Sequence, residues 1–231
     1  MIRGIVFDKD GTLFDFNATW GAWSRTMLHR ESRGEPDVMT RLADVLGYDL
    51  AQDRFLPGSI VIAETVGVVA DAILTVVPGQ DRDALIARMK AASVEVPQVE
   101  AVPLGLFIPA LKAQGYVLGL ATNDAEGPAR RHLQVAGVHD DFAFIAGSDS
   151  GWGGKPAPGQ LLAFLAQTGL AAADCVMVGD SLHDLHAGRA AGMRTLGVLT
   201  GPAPAAELAP HADAVLASIA EIPRWIGSLS T

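Results

Sequence analysis

The chain opens on Ile2-Arg3-Gly4-Ile5-Val6-Phe7-Asp8-Lys9-Asp10-Gly11-Thr12-Leu13. Residues 2–7 are a short apolar run rich in Ile and Val, and the polar cluster Asp8 to Thr12 stops it abruptly. A run of this length bounded by turn residues reads as a strand buried on both faces, followed by a turn. Such a strand needs neighbours, and the next stretch offers none. From about residue 17 to 100 the pattern is helical, with no clear strand. Val38, Leu42, Val45 and Leu46 share a face between Pro36 at a helix start and Gly47 at its end. Ile60 to Val77 reads as a second long helix. Asp81 is placed to cap a third, which carries Leu85, Ile86 and Met89.

Strand signals return after residue 103 and then alternate with helices. Tyr116 to Ala121, Phe142 to Ala146, Cys175 to Val178, Thr195 to Leu199 and Ala214 to Leu216 read as strands. The helices between and before them stop at Gly115, Gly137, Gly169 and Gly192, as left-handed caps require. Alternation of this kind demands parallel strands with crossovers. The expected fold is α/β, a three-layer Rossmann-like parallel sheet with an inserted all-helical cap. The expected division is a core of residues 1–15 plus 101–231 and a cap of residues 16–100.

The 231 residues are 49% hydrophobic, enough for a large buried core. The formal charge of −9 repels nucleic-acid backbones, so no nucleic-acid partner is expected. The single Cys175 cannot form an internal disulfide or a thiolate metal site, and reads as inert core. The opening apolar run is too short for a secretion signal. Ile60 to Val77 is interrupted by Glu64 and Asp71, which argues against a membrane span. A cytoplasmic protein is expected, with its oligomeric state left open.

Ligands of open parallel sheets sit beyond the carboxyl ends of the strands. The polar residues there are Asp8 and Asp10, Thr122-Asn123, and Asp180 with Asp184 one helical turn later; Lys155 lies in a glycine-rich loop. Several carboxylates converging on one edge repel one another unless a cation joins them. Mg²⁺ favours oxygen ligands of this kind. With a lysine and a hydroxyl beside it, the set suits a phosphate group.

Four motifs now stand in order: Asp8-Lys9-Asp10-Gly11-Thr12-Leu13, Leu120-Ala121-Thr122-Asn123, Lys155-Pro156-Ala157-Pro158 and Gly179-Asp180-Ser181-Leu182-His183-Asp184. Together they resemble the haloacid dehalogenase superfamily, in its phosphatase branch, and the likeness continues to Met193. The order of motifs and the helical insert look most like phosphoglycolate phosphatases and similar small-metabolite phosphatases. The resemblance implies a Mg²⁺-dependent phosphatase acting on a small-molecule phosphate ester through an aspartyl-phosphate. It implies Asp8 as nucleophile and Asp10 as general acid and base. The implied metal ligands are the Asp8 and Asp180 side chains and the Asp10 carbonyl. Thr122, Asn123 and Lys155 would bind the phosphoryl group, and Lys155 would also stabilise Asp8. Asp184 is a further ligand, an orienting carboxylate, or a first-turn helix acid favoured by the dipole.

Some readings stay open at this level. A sugar-phosphate mutase differs only in returning the phosphoryl group to a sugar. A phospho-aspartate receiver also carries an acid at a strand end, although the helical insert argues for a substrate chamber. Trp20 and Trp23 either face the site or pack. Arg25, Arg30 and Arg33 either meet a substrate carboxylate or stay solvated. Two residues depart from the family pattern: Lys9 stands where an apolar residue is usual, and Gly159 where an acid often follows the third motif.

Overall fold

In a computed structural model, residues 1–56, 58–94 and 96–229 are described. In chain order the elements begin with β1 (Gly4–Phe7), α1 (Phe16–Glu31), α2 (Pro36–Leu46), β2 (Tyr48–Asp49) and β3 (Arg54–Phe55). There follow α3 (Ile60–Ala63), α4 (Val66–Val76), α5 (Arg82–Val94), α6 (Leu104–Ala113) and β4 (Val117–Ala121). Then come α7 (Glu126–Val135), β5 (Phe144–Ala146), α8 (Gly159–Thr168), β6 (Cys175–Gly179) and α9 (Leu182–Ala190). The chain closes with β7 (Arg194–Val198), α10 (Ala205–Leu208), β8 (Ala214–Leu216) and α11 (Ile222–Ser228).

Six strands form one parallel sheet in the order β5-β4-β1-β6-β7-β8. β1 is therefore central: Gly4 lies opposite Val117 on one side and Cys175 on the other. Alternate residues of a strand face opposite layers. Ile5 and Phe7 join Leu118, Leu120, Val176 and Val178 against α6, α7 and α11. Val6 joins Ala121, Cys175 and Met177 against α8 and α9. The two apolar faces make the sheet the middle of three layers, as the alternating pattern predicts. Because every strand is parallel, all the carboxyl ends open on one edge.

The segment between β1 and α6 builds a third apolar cluster entirely from residues within 16–96, among them Phe16, Leu28, Leu42, Leu46, Ile73 and Leu85. Its local signals mostly work as expected. Gly47 caps α2 at φ 66°, and the Asp81 side chain accepts from Ala84 N at 2.8 Å. Two details differ. The segment is not wholly helical, because β2 and β3 pair antiparallel, Tyr48 opposite Phe55. The single long helix expected from Ile60 to Val77 is broken in two at Glu64 and Thr65. The break leaves the Glu64 carboxylate 3.5 Å from His183 Nε2, a contact that no periodicity encodes. Among the described residues, no helix is long and apolar enough to cross a membrane.

Candidate active site

β1 ends by handing its next amide to β6: Asp8 N donates to Val178 O at 2.8 Å. The Asp8 side chain then leaves the sheet at the edge where β4 and β6 also end. Lys155 Nζ donates to Asp8 Oδ1 at 2.6 Å and to Asp184 Oδ1 at 2.5 Å. Lys155 is held from behind through its backbone. Its N–H donates to Asn123 Oδ1 at 2.7 Å, and its carbonyl accepts from Asn123 Nδ2 at 2.9 Å. Gln160 Nε2 ties the two loops together, donating to the carbonyls of Thr122 and Gly153, each at 3.0 Å. Thr122 Oγ1 accepts from Asp124 N at 3.1 Å, which leaves the hydroxyl proton for another acceptor.

Asp184 serves two of its candidate roles at once. It is the N3 acid of a capping box on α9, accepting from Ser181 N at 3.0 Å and Ser181 Oγ at 2.7 Å through Oδ2. Its other oxygen faces Lys155. Asp8, Asp180 and Asp184, all buried, offer carboxylate oxygens that lie within 4.8 Å of one another. The Asp10 side chain is outside this cluster. Asp180 Oδ2 is buried with no hydrogen-bond partner. A β-carbon at Gly11 or Gly201 would overlap the Asp180 carboxylate, and Gly11 also adopts φ +81°. The chain thus keeps space and an unpaired oxygen beside Asp8.

Burial and mutual repulsion weigh on the acids of this cluster. Burial raises Asp8 to about 7; Lys155 opposes the rise and Asp184 adds to it. Asp180 is raised well above the usual carboxylate range by burial and by Asp184 and Asp8. Lys155 titrates above its ordinary value: burial alone would lower it, and Asp184 and Asp8 more than reverse that. An orphaned carboxylate oxygen among three buried acids, all hard oxygen donors, fits a Mg²⁺ ion.

Asp10 belongs to a second network, which sequence reading only touched. Lys9 is fully buried and its Nζ lies 2.9 Å from Asp10 Oδ1 and 2.8 Å from Oδ2. Asp124 Oδ2 is 3.3 Å away on another side, and His132 Nδ1 3.2 Å. His132 Nε2 is 3.0 Å from Ser93 O, so the ring donates there and accepts from Lys9. That tautomer leaves the imidazole neutral. Burial, then the Lys9 charge, depress His132 to about 4. Burial would lower Lys9, but Asp10 and Asp124 raise it. Trp20 donates Nε1–H to Asp10 Oδ1 at 2.8 Å, and Lys9 Nζ lies 5.4 Å from the Trp20 ring centroid. The departure at position 9 is therefore an internal counter-ion for Asp10. The partners of Lys9 lie far along the chain, beyond the reach of motif reading.

A chamber rises over these groups, lined by Asp8, Asp10, Thr122 and Lys155 below and by Trp20 and Trp23 above. Lys90 and His183 also line it. Arg25, Arg30 and Arg33 do not line it. Arg25 bonds Asp53 and the Leu50 carbonyl, and Arg30 pairs with Glu31. His186 contacts His211 at the surface. Cys175 is buried, and burial pushes its thiol up to about 11.

The chain matches the model of a hydrolase family, the haloacid dehalogenase-like hydrolases, over residues 2–192. It is 33% identical over 201 residues to a phosphoglycolate phosphatase of Xylella fastidiosa (strain Temecula1), covering 86% of this chain and 81% of that protein. It is 31% identical over 231 residues to a phosphoglycolate phosphatase of Yersinia pestis, covering 98% and 94%. Among solved structures, a predicted phosphoglycolate phosphatase from Haemophilus somnus superposes with a TM-score of 0.74 at 19% identity, covering 97% of this chain and 98% of that one. This last likeness is one of fold.

Proposed function

The chain belongs to the haloacid dehalogenase-like hydrolases, and from that premise we propose a Mg²⁺-dependent phosphatase of small-metabolite phosphomonoesters that works through an aspartyl-phosphate on Asp8. The relatives named phosphoglycolate phosphatase support the reaction class and the scale of the substrate. The observation that carries the reading is the convergence of Asp8, Lys155 and the unpaired Asp180 oxygen at one buried point.

Asp8, Asp180 and Asp184 would hold the ion, with the Asp10 carbonyl as the family pattern implies. Bound there, it would neutralise the acids and the incoming phosphate. The remaining work falls to the chain. Lys155 favours the ionised form of the Asp8 carboxylate and orients it, so that one oxygen attacks phosphorus. The phosphorus–oxygen bond to the alcohol breaks as the new bond to Asp8 forms. Asp10 gives its proton to the departing oxygen, then takes one from the water that attacks phosphorus, and Asp8 is released with inorganic phosphate. Lys9 and Trp20 fix the Asp10 carboxyl throughout. The Thr122 hydroxyl and the Asn123 backbone bind phosphoryl oxygens. We assign residues 1–15 plus 101–231 as the core and 16–100 as a cap that closes the chamber against water.

Steady-state release of phosphate from p-nitrophenyl phosphate, with and without chelator, tests this. Turnover that chelation abolishes and Mg²⁺ restores is expected. A stable phosphoprotein without turnover would instead make the protein a receiver.

A further inference from the structure

Resting on that phosphatase reading, we infer that Lys90 is a specificity residue, which exchanges its partner Asp149 for a second anionic group on the alcohol half of the substrate. The part of an ester beyond its bridging oxygen must lie away from Lys155 and the acids at the phosphoryl end, toward the wall built by residues 16–100. Lys90, on α5, belongs to that wall. The arginines that the sequence offered for a substrate carboxylate, Arg25, Arg30 and Arg33, do not.

Lys155 is not available for this task, because it is buried and donates to both Asp8 and Asp184. His183 has a short side chain and faces Glu64 at 3.5 Å. Lys90 Nζ lies 2.6 Å from Asp149 Oδ2, and the two side chains are 31% and 41% exposed. An ion pair this open contributes little to stability, so giving it up costs little. Asp149 itself does not line the chamber. Its other oxygen accepts from Glu126 N at 2.9 Å, which holds it on its loop when the lysine turns away. The stem of Lys90 is flexible and ends in a full positive charge. The Trp23 indole N–H and the Thr122 hydroxyl also line the chamber, but these neutral donors serve a hydroxyl and a carboxylate alike. Lys90 distinguishes the two by charge. Of the acids beside the same space, Glu64 is turned to His183 and Asp124 to Lys9.

The experiment compares kcat/KM for phosphoglycolate with that for ethyl phosphate, in which a methyl replaces the carboxylate. Glycerol 3-phosphate and p-nitrophenyl phosphate complete the panel, all with the Mg²⁺-loaded enzyme. The ratio of the first two cancels any effect on fold, metal or chamber closure that both esters share. Lys90→Met should lower the ratio at least about tenfold. The loss should appear chiefly in KM, because a contact to the alcohol half is the same before and during phosphoryl transfer. Lys90→Arg keeps the charge and should restore most of the ratio. Asp149→Asn frees the lysine and should raise the ratio about two- to fivefold; it decides alone should the Lys90 variants fold poorly. A pair that only ties α5 to the loop of Asp149 would leave the ratio unmoved in both the Met and the Asn variant, and that result overturns the inference. So does a loss for glycerol 3-phosphate, relative to ethyl phosphate, as large as the loss for phosphoglycolate, since selection would then not follow charge. In either case the phosphatase reading stands. If every ester including p-nitrophenyl phosphate is inert with the parent, the phosphatase reading itself falls and takes this one with it.

Discussion

The indole of Trp20 and the carboxylate of Asp10 meet at 2.8 Å, although one belongs to α1 and the other to the loop after β1. The hydrogen bond steers one oxygen of the proposed acid toward the segment that covers it. Trp20→Phe keeps the ring and removes the donor. Since a hydrogen bond to a charged group contributes about 1.5–3 kcal/mol, kcat should fall at least about tenfold with the melting temperature little changed. An unaltered kcat would show that Asp10 is held without Trp20.

Asp8→Asn should cost turnover on the order of a thousandfold or more, because an amide is a poor nucleophile. The fold should survive, since the Asn side chain fills the same space. Circular dichroism and phosphate release together check both halves of this statement; retained turnover would point to another nucleophile.

Lys9 is buried with Asp10 and Asp124 around it. Lys9→Met leaves those acids without their cation and should destabilise the protein by about 3–5 kcal/mol in urea titrations. Adding Asp124→Asn should recover part of that loss. Independent, additive effects in the double variant would argue that the pair does not interact.

Metal and stability can be separated at Asp180. Its pKa is raised in the fold, so the ionised form opposes folding, and stability from this group declines as pH rises through the raised value. At pH 8, Asp180→Asn should therefore melt higher than the parent without metal. It should also lose most of the Mg²⁺-induced rise in melting temperature. A variant that still gains stability from Mg²⁺ as the parent does would exclude Asp180 from the metal site.

His132 gives an acid-side signature. Its pKa is about 4 in the fold against an ordinary 6.5, so as pH falls the unfolded chain takes up the proton first. The stability this residue confers is complete above 6.5 and drains away between 6.5 and 4, amounting to about 3 kcal/mol. Urea titrations across that window should show a steeper decline for the parent than for His132→Gln. Parallel curves would place the imidazole outside any buried neutral role.

The elements that sequence reading located best are those with local causes. Gly47, Gly137 and Gly169 end helices because their own φ values of 66°, 72° and 69° suit no other residue well. The first four strands after residue 115 were legible because each is preceded by a glycine stop, at Gly115, Gly137, Gly169 and Gly192. Asp8, Thr122, Lys155 and Asp180 were legible because each ends a strand or sits in a loop of a parallel sheet. What escaped depended on distance along the chain. The break at Glu64 answers to His183, and the burial of Lys9 answers to His132, 123 residues away. The role of Asp184 needed both its local cap and its remote lysine to be seen.

The place of β1 at the centre of the sheet has a consequence for synthesis. Its neighbours begin at residues 117 and 175, so the strand bearing Asp8 leaves the ribosome long before either exists. It must wait, apolar and unpaired, while the block up to residue 96 gathers around its own cluster. A nascent chain arrested before β6 is translated holds the proposed nucleophile on a half-matched strand, prey for chaperones. Hydrolytic competence therefore arrives late, with the last third of translation.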